Sequence, residues 1–437
     1  MSSPQRFEHD LPLLLEDLYL GGNPDYRDDL LQQIARARQR PVWTFPERWL
    51  PMDFATRRIA STSVPWRSLG ALALIGIVIM AALAAIVGSQ PRLPEPFGLT
   101  ANGAIAYADG GDIYVRAQID GPSRLLIDDP ATDNVAFFSP RGDELALLRA
   151  ADGGEDVVVT RSDGSGARRL AGPYPAINDV VWSPDQTAIA IGYERNGIPS
   201  IDIVATDGSG TRSLVDFPAM APSWRPPTGT QLLFRGQTDG RWGLYLIDAE
   251  GGTPVQIDLE QQGLLASGYD LLAPAWSPTG DRLAFHTLVD LPKSQLQTPG
   301  FRITIAAIGP RGDVAGERPL EFSERADDEL NVAFTPDGTQ IVFQQRFGWT
   351  PSDPASGTPT VDRLFMAPAD GSGSAHDLGV ISTNGDGIAY ALAPDGRSLL
   401  AHLWAEEEDW LIDPAAGTAS LTDLGSSSGV TWQRRAP

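Results

Sequence analysis

Six times along the chain an apolar residue is followed by a proline-centred tight turn and then by a run that reads as a strand. Phe138-Ser139-Pro140-Arg141-Gly142 precedes LALL, and Trp182-Ser183-Pro184-Asp185 precedes AIAIGY. Trp224-Arg225-Pro226-Pro227-Thr228-Gly229 precedes QLLF, and Trp276-Ser277-Pro278-Thr279-Gly280 precedes RLAFH. Phe334-Thr335-Pro336-Asp337-Gly338 precedes QIVFQ, and Leu392-Ala393-Pro394-Asp395-Gly396 precedes SLLAHL. The pattern is that of a tight turn between two strands: proline fixes φ at the second position, aspartate suits the third and glycine accepts the fourth. Trp432 adds a seventh anchor, again aromatic, with no turn after it. The intervals between residues 138, 182, 224, 276, 334, 392 and 432 are 44, 42, 52, 58, 58 and 40. A supersecondary unit recurring at such a period buries its apolar faces only against copies of itself.

A second signature lies between the first. DIYVRA, DVVVTR, IDIVAT, GLYLID, RITIAA, RLFMAP and DWLIDP recur in step with the turns, several followed by Asp-Gly-Ser-Gly at 163–166, 207–210 and 370–373. Each unit therefore reads as four antiparallel strands joined by hairpins. Seven such strands stand against six complete turns. GVTW at 429–432 lacks a partner and GAIAYA at 103–108 lacks a preceding strand. Joining them completes one more unit and closes the ring without a bare sheet edge. The fold class is all-β, a β-propeller over residues 98–437 with seven blades as the best fit and six or eight as alternatives. Gln186 stands where glycine is expected, and Arg225 and Ala393 stand where serine is expected, so looser turns are expected in those blades.

These motifs resemble the TolB-like, WD-like propeller repeat of bacterial envelope proteins, which is also found in propellers of the prolyl-oligopeptidase type. The resemblance implies a fold; scaffolds, binders and enzymes share it, so it implies no single activity.

Leu69 to Val87, LGALALIGIVIMAALAAIV, holds nineteen residues without a charge. At about 1.5 Å per residue such a helix nearly matches a hydrocarbon core of ~30 Å. The expected organisation is a cytoplasmic segment at 1–67, a transmembrane helix at 68–88, a Pro-rich linker at 89–97 and the propeller at 98–437. Arg48, Arg57, Arg58 and Arg67 flank the run on one side and Arg92 alone on the other, which places the N-terminus inside and the propeller outside. The expected site is a bacterial plasma membrane, crossed once. Of the formal charge of −23, none falls on residues 1–67, where nine acidic residues balance nine arginines. The acidic balance of the rest excludes a nucleic-acid partner, whose phosphates need a basic face.

Residues 1–67 carry more apolar surface than so short a segment buries alone. Leu30, Leu31 and Ile34 share a helical face, and Trp43, Phe45 and Trp49 follow in a Pro-rich stretch. Two readings stand: a helix lying on the bilayer, or a docking segment for a cytoplasmic protein. A short interior segment, one span and a large outer domain resemble transmembrane anti-sigma factors, which implies a sigma factor as the cytoplasmic partner. The His/Cys zinc motif of one anti-sigma class is missing, since the chain has no cysteine.

No catalytic, metal or cofactor constellation emerges. Gly425-Ser426-Ser427-Ser428-Gly429 matches a nucleophile-elbow pattern formally, but no histidine follows it. The four histidines, at 9, 286, 376 and 402, share no ligand spacing; His286 and His402 fall in strand patterns and read as core or blade-interface residues. The longest insertions, 288–300 and 346–361, join the second and third strands of consecutive blades and so lie side by side, opposite the proline turns. They carry Lys293, Arg346, Phe347 and Trp349 as candidate partner-binding residues. The expectation is a non-enzymatic binding or sensor module for a protein or glycan; an envelope enzyme using the central channel and a structural scaffold are the alternatives.

Overall fold

The computed structural model describes residues 74–77, 80, 95–128, 130–259, 274–289, 300–321, 328–348, 360–383, 387–425 and 430–436. The chain divides into two units, Met1–Ser89 and Gln90–Pro437. In the first, residues 74–77 and 80 are helical, and Leu74, Ile75, Ile77 and Met80 expose their side chains. Among the described residues no helix is long and apolar enough to cross a membrane; most of the expected span at 69–87 lies outside them.

The second unit is a seven-bladed propeller. Its described strands form seven sheets of four. Blade 2 shows the plan: Asp133–Phe138, Glu144–Ala151, Gly154–Arg161 and Arg168–Tyr174 follow one another antiparallel. The first strand of each blade is innermost, because Phe138, Trp182, Trp224, Trp276, Phe334, Leu392 and Trp432, one per blade, line a single cavity. Blade 1 is built from both ends of the ring: Val430–Arg435 is its inner strand and pairs with Ala101–Asp109. The deficit in the repeat count foretold this closure.

Packing runs between blades. Each of seven apolar clusters joins one blade to the next, and six hold ten or more buried residues. Among the described residues the seventh, between blades 7 and 1, holds four buried ones, Ile105, Tyr107, Leu400 and Leu424. At roughly 1.5–3 kcal/mol per buried large side chain, the closure seam is the weakest in apolar terms. Polar contacts supplement it: Arg116 Nη1 meets Asp423 Oδ1 at 2.7 Å and its Nη2 donates to the Asp423 carbonyl.

The anchor aromatics sit where the repeat implies, wedged between neighbours. Trp182 Nε1 donates to the Phe137 carbonyl of blade 2, and Trp224 Nε1 to the Val181 carbonyl of blade 3. In the turns, the Ser183, Ser277 and Thr335 hydroxyls accept the N–H groups of Ala188, Arg282 and Gln340, which closes each hairpin.

The expectation of looser turns is corrected at two of three places. Gln186 takes the left-handed conformation that glycine would, with φ of 66°, and its N–H still reaches the Ser183 carbonyl at 2.9 Å. The strain is offset across the blade boundary: Gln186 Oε1 accepts from Arg141 N and its Nε2 donates to Asp143 Oδ1, both at 2.8 Å. Ala393 loses the serine hydroxyl but keeps the turn bond, from Gly396 N to Ala393 O at 2.9 Å. Only the Arg225 turn is longer, closing from Gly229 N to Arg225 O.

Candidate functional site

The proline turns join inner strands to second strands, so they share one end of the ring with the Asp-Gly-Ser-Gly turns. All other connections leave from the opposite, distal end. The second strand of blade 5 ends at Val289 and the third begins at Gly300; in blade 6 the bounds are Phe347 and Val361. A third long connection leaves the same end between Val255–Gln256 of blade 4 and Ala275–Trp276 of blade 5. Sequence reading passed over it, because EQQGLLASGYDLLA at 260–273 carries no turn motif to mark it.

The proline-turn end is where the chain enters. Pro96, Phe97 and Gly98 line the axial cavity of about 480 Å³ together with the seven anchor residues. Arg434, on the closing strand, donates from Nη2 to the carbonyls of Glu95 at 3.1 Å and Gly98 at 2.7 Å. Loss of water lowers the Arg434 pKa.

Of the candidate binding residues, Arg346 and Phe347 are described and Lys293 and Trp349 lie outside the described residues, as do Leu30, Leu31, Ile34, Trp43, Phe45 and Trp49. Arg346 closes the base of the blade 6 insertion: Nε and Nη2 reach the two oxygens of Asp362 at 2.8 and 3.0 Å. Asp362 is wholly buried and also accepts the Gly387 N–H of blade 7. The guanidinium is thus committed to a bidentate pair within the blade. Phe347 is half-buried against the apolar cluster between blades 5 and 6.

Similar polar clamps recur at distal strand ends. Arg149 pairs bidentately with Asp133 in blade 2, and His402 Nδ1 lies 3.0 Å from Asp409 Oδ1 in blade 7. His402 is buried, as its strand pattern implied, and borders a cavity of about 180 Å³ walled mainly by Val135, Phe137, Ala389, Tyr390 and Val430. Burial raises the Tyr390 pKa, and its hydroxyl donates to the Val342 carbonyl at 2.9 Å.

Between blades 5 and 6 two carboxylates replace strand pairing. Phe301 N donates to Asp328 Oδ1 at 2.9 Å and Ile303 N to Glu329 Oε2 at 2.8 Å. Both acids are buried. Desolvation pushes the Glu329 pKa up to about 7, against the pull of the Ile303 N–H and of Arg302. No residue-level motif announces this pair, since DDEL reads as an ordinary acidic turn.

The distal end also exposes Trp404, 42% accessible, whose ring meets His402 edge-on at 4.7 Å between centroids. Beside it Glu406 accepts from Ser382 Oγ and Thr383 N, tying blade 7 to blade 6, and these bonds hold its pKa below the ordinary carboxylate range despite burial. Among the described residues no group of three or more His, Cys, Asp or Glu side chains is placed to hold a metal ion.

No protein-family profile matches the chain, and no curated protein does. Among solved structures, the tricorn protease superposes with a TM-score of 0.54 at 9% identity over 79% of this chain. This chain spans 36% of the tricorn chain. A functionally unknown protein from Desulfotomaculum acetoxidans gives 0.50 at 12% identity, covering 77% of this chain and 99% of its own. TolB from Acinetobacter baumannii gives 0.46 at 14%, covering 77% and 81%. At such identities the likeness shows the β-propeller fold alone.

Proposed function

We propose that this protein is a membrane-tethered propeller that binds a macromolecular partner through its distal end, with the bilayer crossed at 69–87 and the ring outside. The observation that carries the reading is topological. The chain enters at residues 95–98 on the proline-turn end, and the three long connections, 260–273, 290–299 and 349–359, all leave from the other end. A tether on one side of a rigid ring and long connections on the other leave that second surface free for a protein or glycan. Because Arg346 is committed to Asp362, recognition falls to Lys293, Phe347, Trp349 and the neighbouring Trp404. The interior segment, through Leu30, Leu31, Ile34, Trp43, Phe45 and Trp49, docks a cytoplasmic protein, for which a sigma factor is the candidate. The enzyme alternative needs carboxylates converging in the channel.

A photo-crosslinking amino acid placed singly at Lys293, Trp349 or Trp404, and at Thr228 on the proline-turn end, tests the reading in intact cells. Adducts at the first three and none at Thr228 support it; adducts at Thr228 alone overturn it. The chain has no native cysteine, so a single cysteine at Asn196 gives a clean orientation test. It must react with an impermeant maleimide, and failure to react until the cells are lysed reverses the topology.

A further inference from the structure

We propose that Glu329 is a proton-operated latch between blades 5 and 6. Its carboxyl group occupies a position where a strand would ordinarily supply an acceptor. In blade 5 the outer strand runs Val314–Pro319, and the last ladder contact above it is Leu320 N to Ile303 O. Past that point the third strand, Gly300–Ile308, turns its N–H groups to blade 6, and Asp328 and Glu329 accept them. Loss of the Glu329 acceptor leaves the buried Ile303 N–H unpaired, so this bond couples the third strand of blade 5 to blade 6 beside their apolar contact.

Among the described residues the charges around the latch are few and specific. Arg302 Nε lies 3.9 Å from Glu329 Oε1, and Asp328 is its neighbour on the same strand. Gln345 is its register partner in blade 6, and Arg346, whose guanidinium is held by Asp362, is the register partner of Asp328. From blade 5, His286 is the register partner of Ile303 and is buried on the same interface. One cation at 3.9 Å without a direct hydrogen-bond length compensates a buried carboxylate incompletely. Removal from water therefore dominates and favours the protonated form.

The sign follows from linkage. The closed interface binds the proton more tightly than an opened, hydrated carboxyl would, so protonation holds the latch closed and deprotonation favours opening. With a closed-state value of about 7 and an ordinary value of 4.5, the opening constant rises roughly thirtyfold between about pH 5.5 and about pH 8.5.

Amide exchange on the full-length protein, corrected for intrinsic base catalysis, reads this directly. Peptides covering 300–308 must show the roughly thirtyfold rise, while peptides covering 145–159 in blade 2 serve as the internal reference. Glu329→Gln must flatten the profile, and Arg302→Met must move its midpoint upward. A flat wild-type profile at 300–308, or one identical to the reference, overturns the latch without recourse to any variant. So does a Glu329→Gln protein that keeps the wild-type rise. The latch lies at the distal end assigned above to docking, but its readout needs no partner, so either idea can fail without the other.

Discussion

Restoring the repeat consensus at one turn should weaken the protein. Arg225 departs from the Ser-Pro-Asp-Gly pattern, and the local logic of the turn favours Arg225→Ser, because the hydroxyl would accept a hairpin N–H as Ser183 and Ser277 do. The structure argues the opposite. From blade 4, Arg225 donates Nε to the Gly280 carbonyl at 2.8 Å, Nη1 to the Gly309 carbonyl at 2.9 Å, and Nη2 to the Ile308 carbonyl at 2.6 Å. Nη1 also reaches Gln231 Oε1, and the guanidinium lies 4.9 Å from the Trp276 ring centroid. Burial lowers the Arg225 pKa, so part of this gain is spent on desolvation. Three inter-blade bonds at about 1 kcal/mol net each, with a cation–π contact of about 0.5–1 kcal/mol, give about 3–4 kcal/mol lost. A recovered serine bond of about 1 kcal/mol leaves about 2–3 kcal/mol net. At about 2.1 cal/mol/K per residue over the ring, that is a Tm lower by about 3–4 °C. Differential scanning calorimetry of the full-length chain measures it, with Arg225→Lys as the control that keeps charge but loses the fork. An unchanged or higher Tm for Arg225→Ser would refute the claim that this side chain staples blade 4 to blade 5.

Other substitutions follow from the same geometry. Arg346→Met leaves the wholly buried Asp362 without its counter-charge and should cost about 3–5 kcal/mol of stability, read as a lowered denaturation midpoint whether or not any partner is present. Gly280→Ala should be severe, because a Cβ there would sit 1.9 Å from the Pro226 carbonyl oxygen. Gly208→Ala meets open space and should cost only the left-handed strain of about 1 kcal/mol; paired thermal melts compare the two. Asp337 titrates below the usual carboxylate range, burial opposing but bonds from Thr335 and Thr339 prevailing. Its stabilisation is therefore complete at neutral pH and is lost as pH falls through the lowered value. Asp337→Asn should remove it at pH 7 and flatten the acid limb of a stability profile.

How much of this was legible depends on how local each signal is. A turn that closes over a few residues is written in consecutive letters, so Pro140, Pro184, Pro278, Pro336 and Pro394 announced five hairpins. The ring closure was legible for a different reason: counting left GVTW and GAIAYA each one partner short. Gln186 misled because its left-handed backbone is supported by Arg141 and Asp143 of another blade, which no local pattern encodes. Arg168, Arg212 and Arg318 were hidden likewise. Each donates from an outer strand to a backbone carbonyl of the next blade, at Thr206, Ala249 and Asp370. Nothing in the consecutive letters of those outer strands marks a partner in the next blade. Arg346 was picked out as a candidate partner-binding residue because its position at an insertion was visible and its pairing with Asp362 was not.

The closing strand bears on how the protein is made. A ribosome delivers Ala101–Asp109 early, yet its hydrogen-bonding neighbour, Val430–Arg435, comes more than three hundred residues later. Throughout synthesis the first blade waits with one side of a strand uncovered. A nascent chain interrupted before that point keeps an open sheet edge in blade 1, so ring closure waits for the delivery of Val430–Arg435.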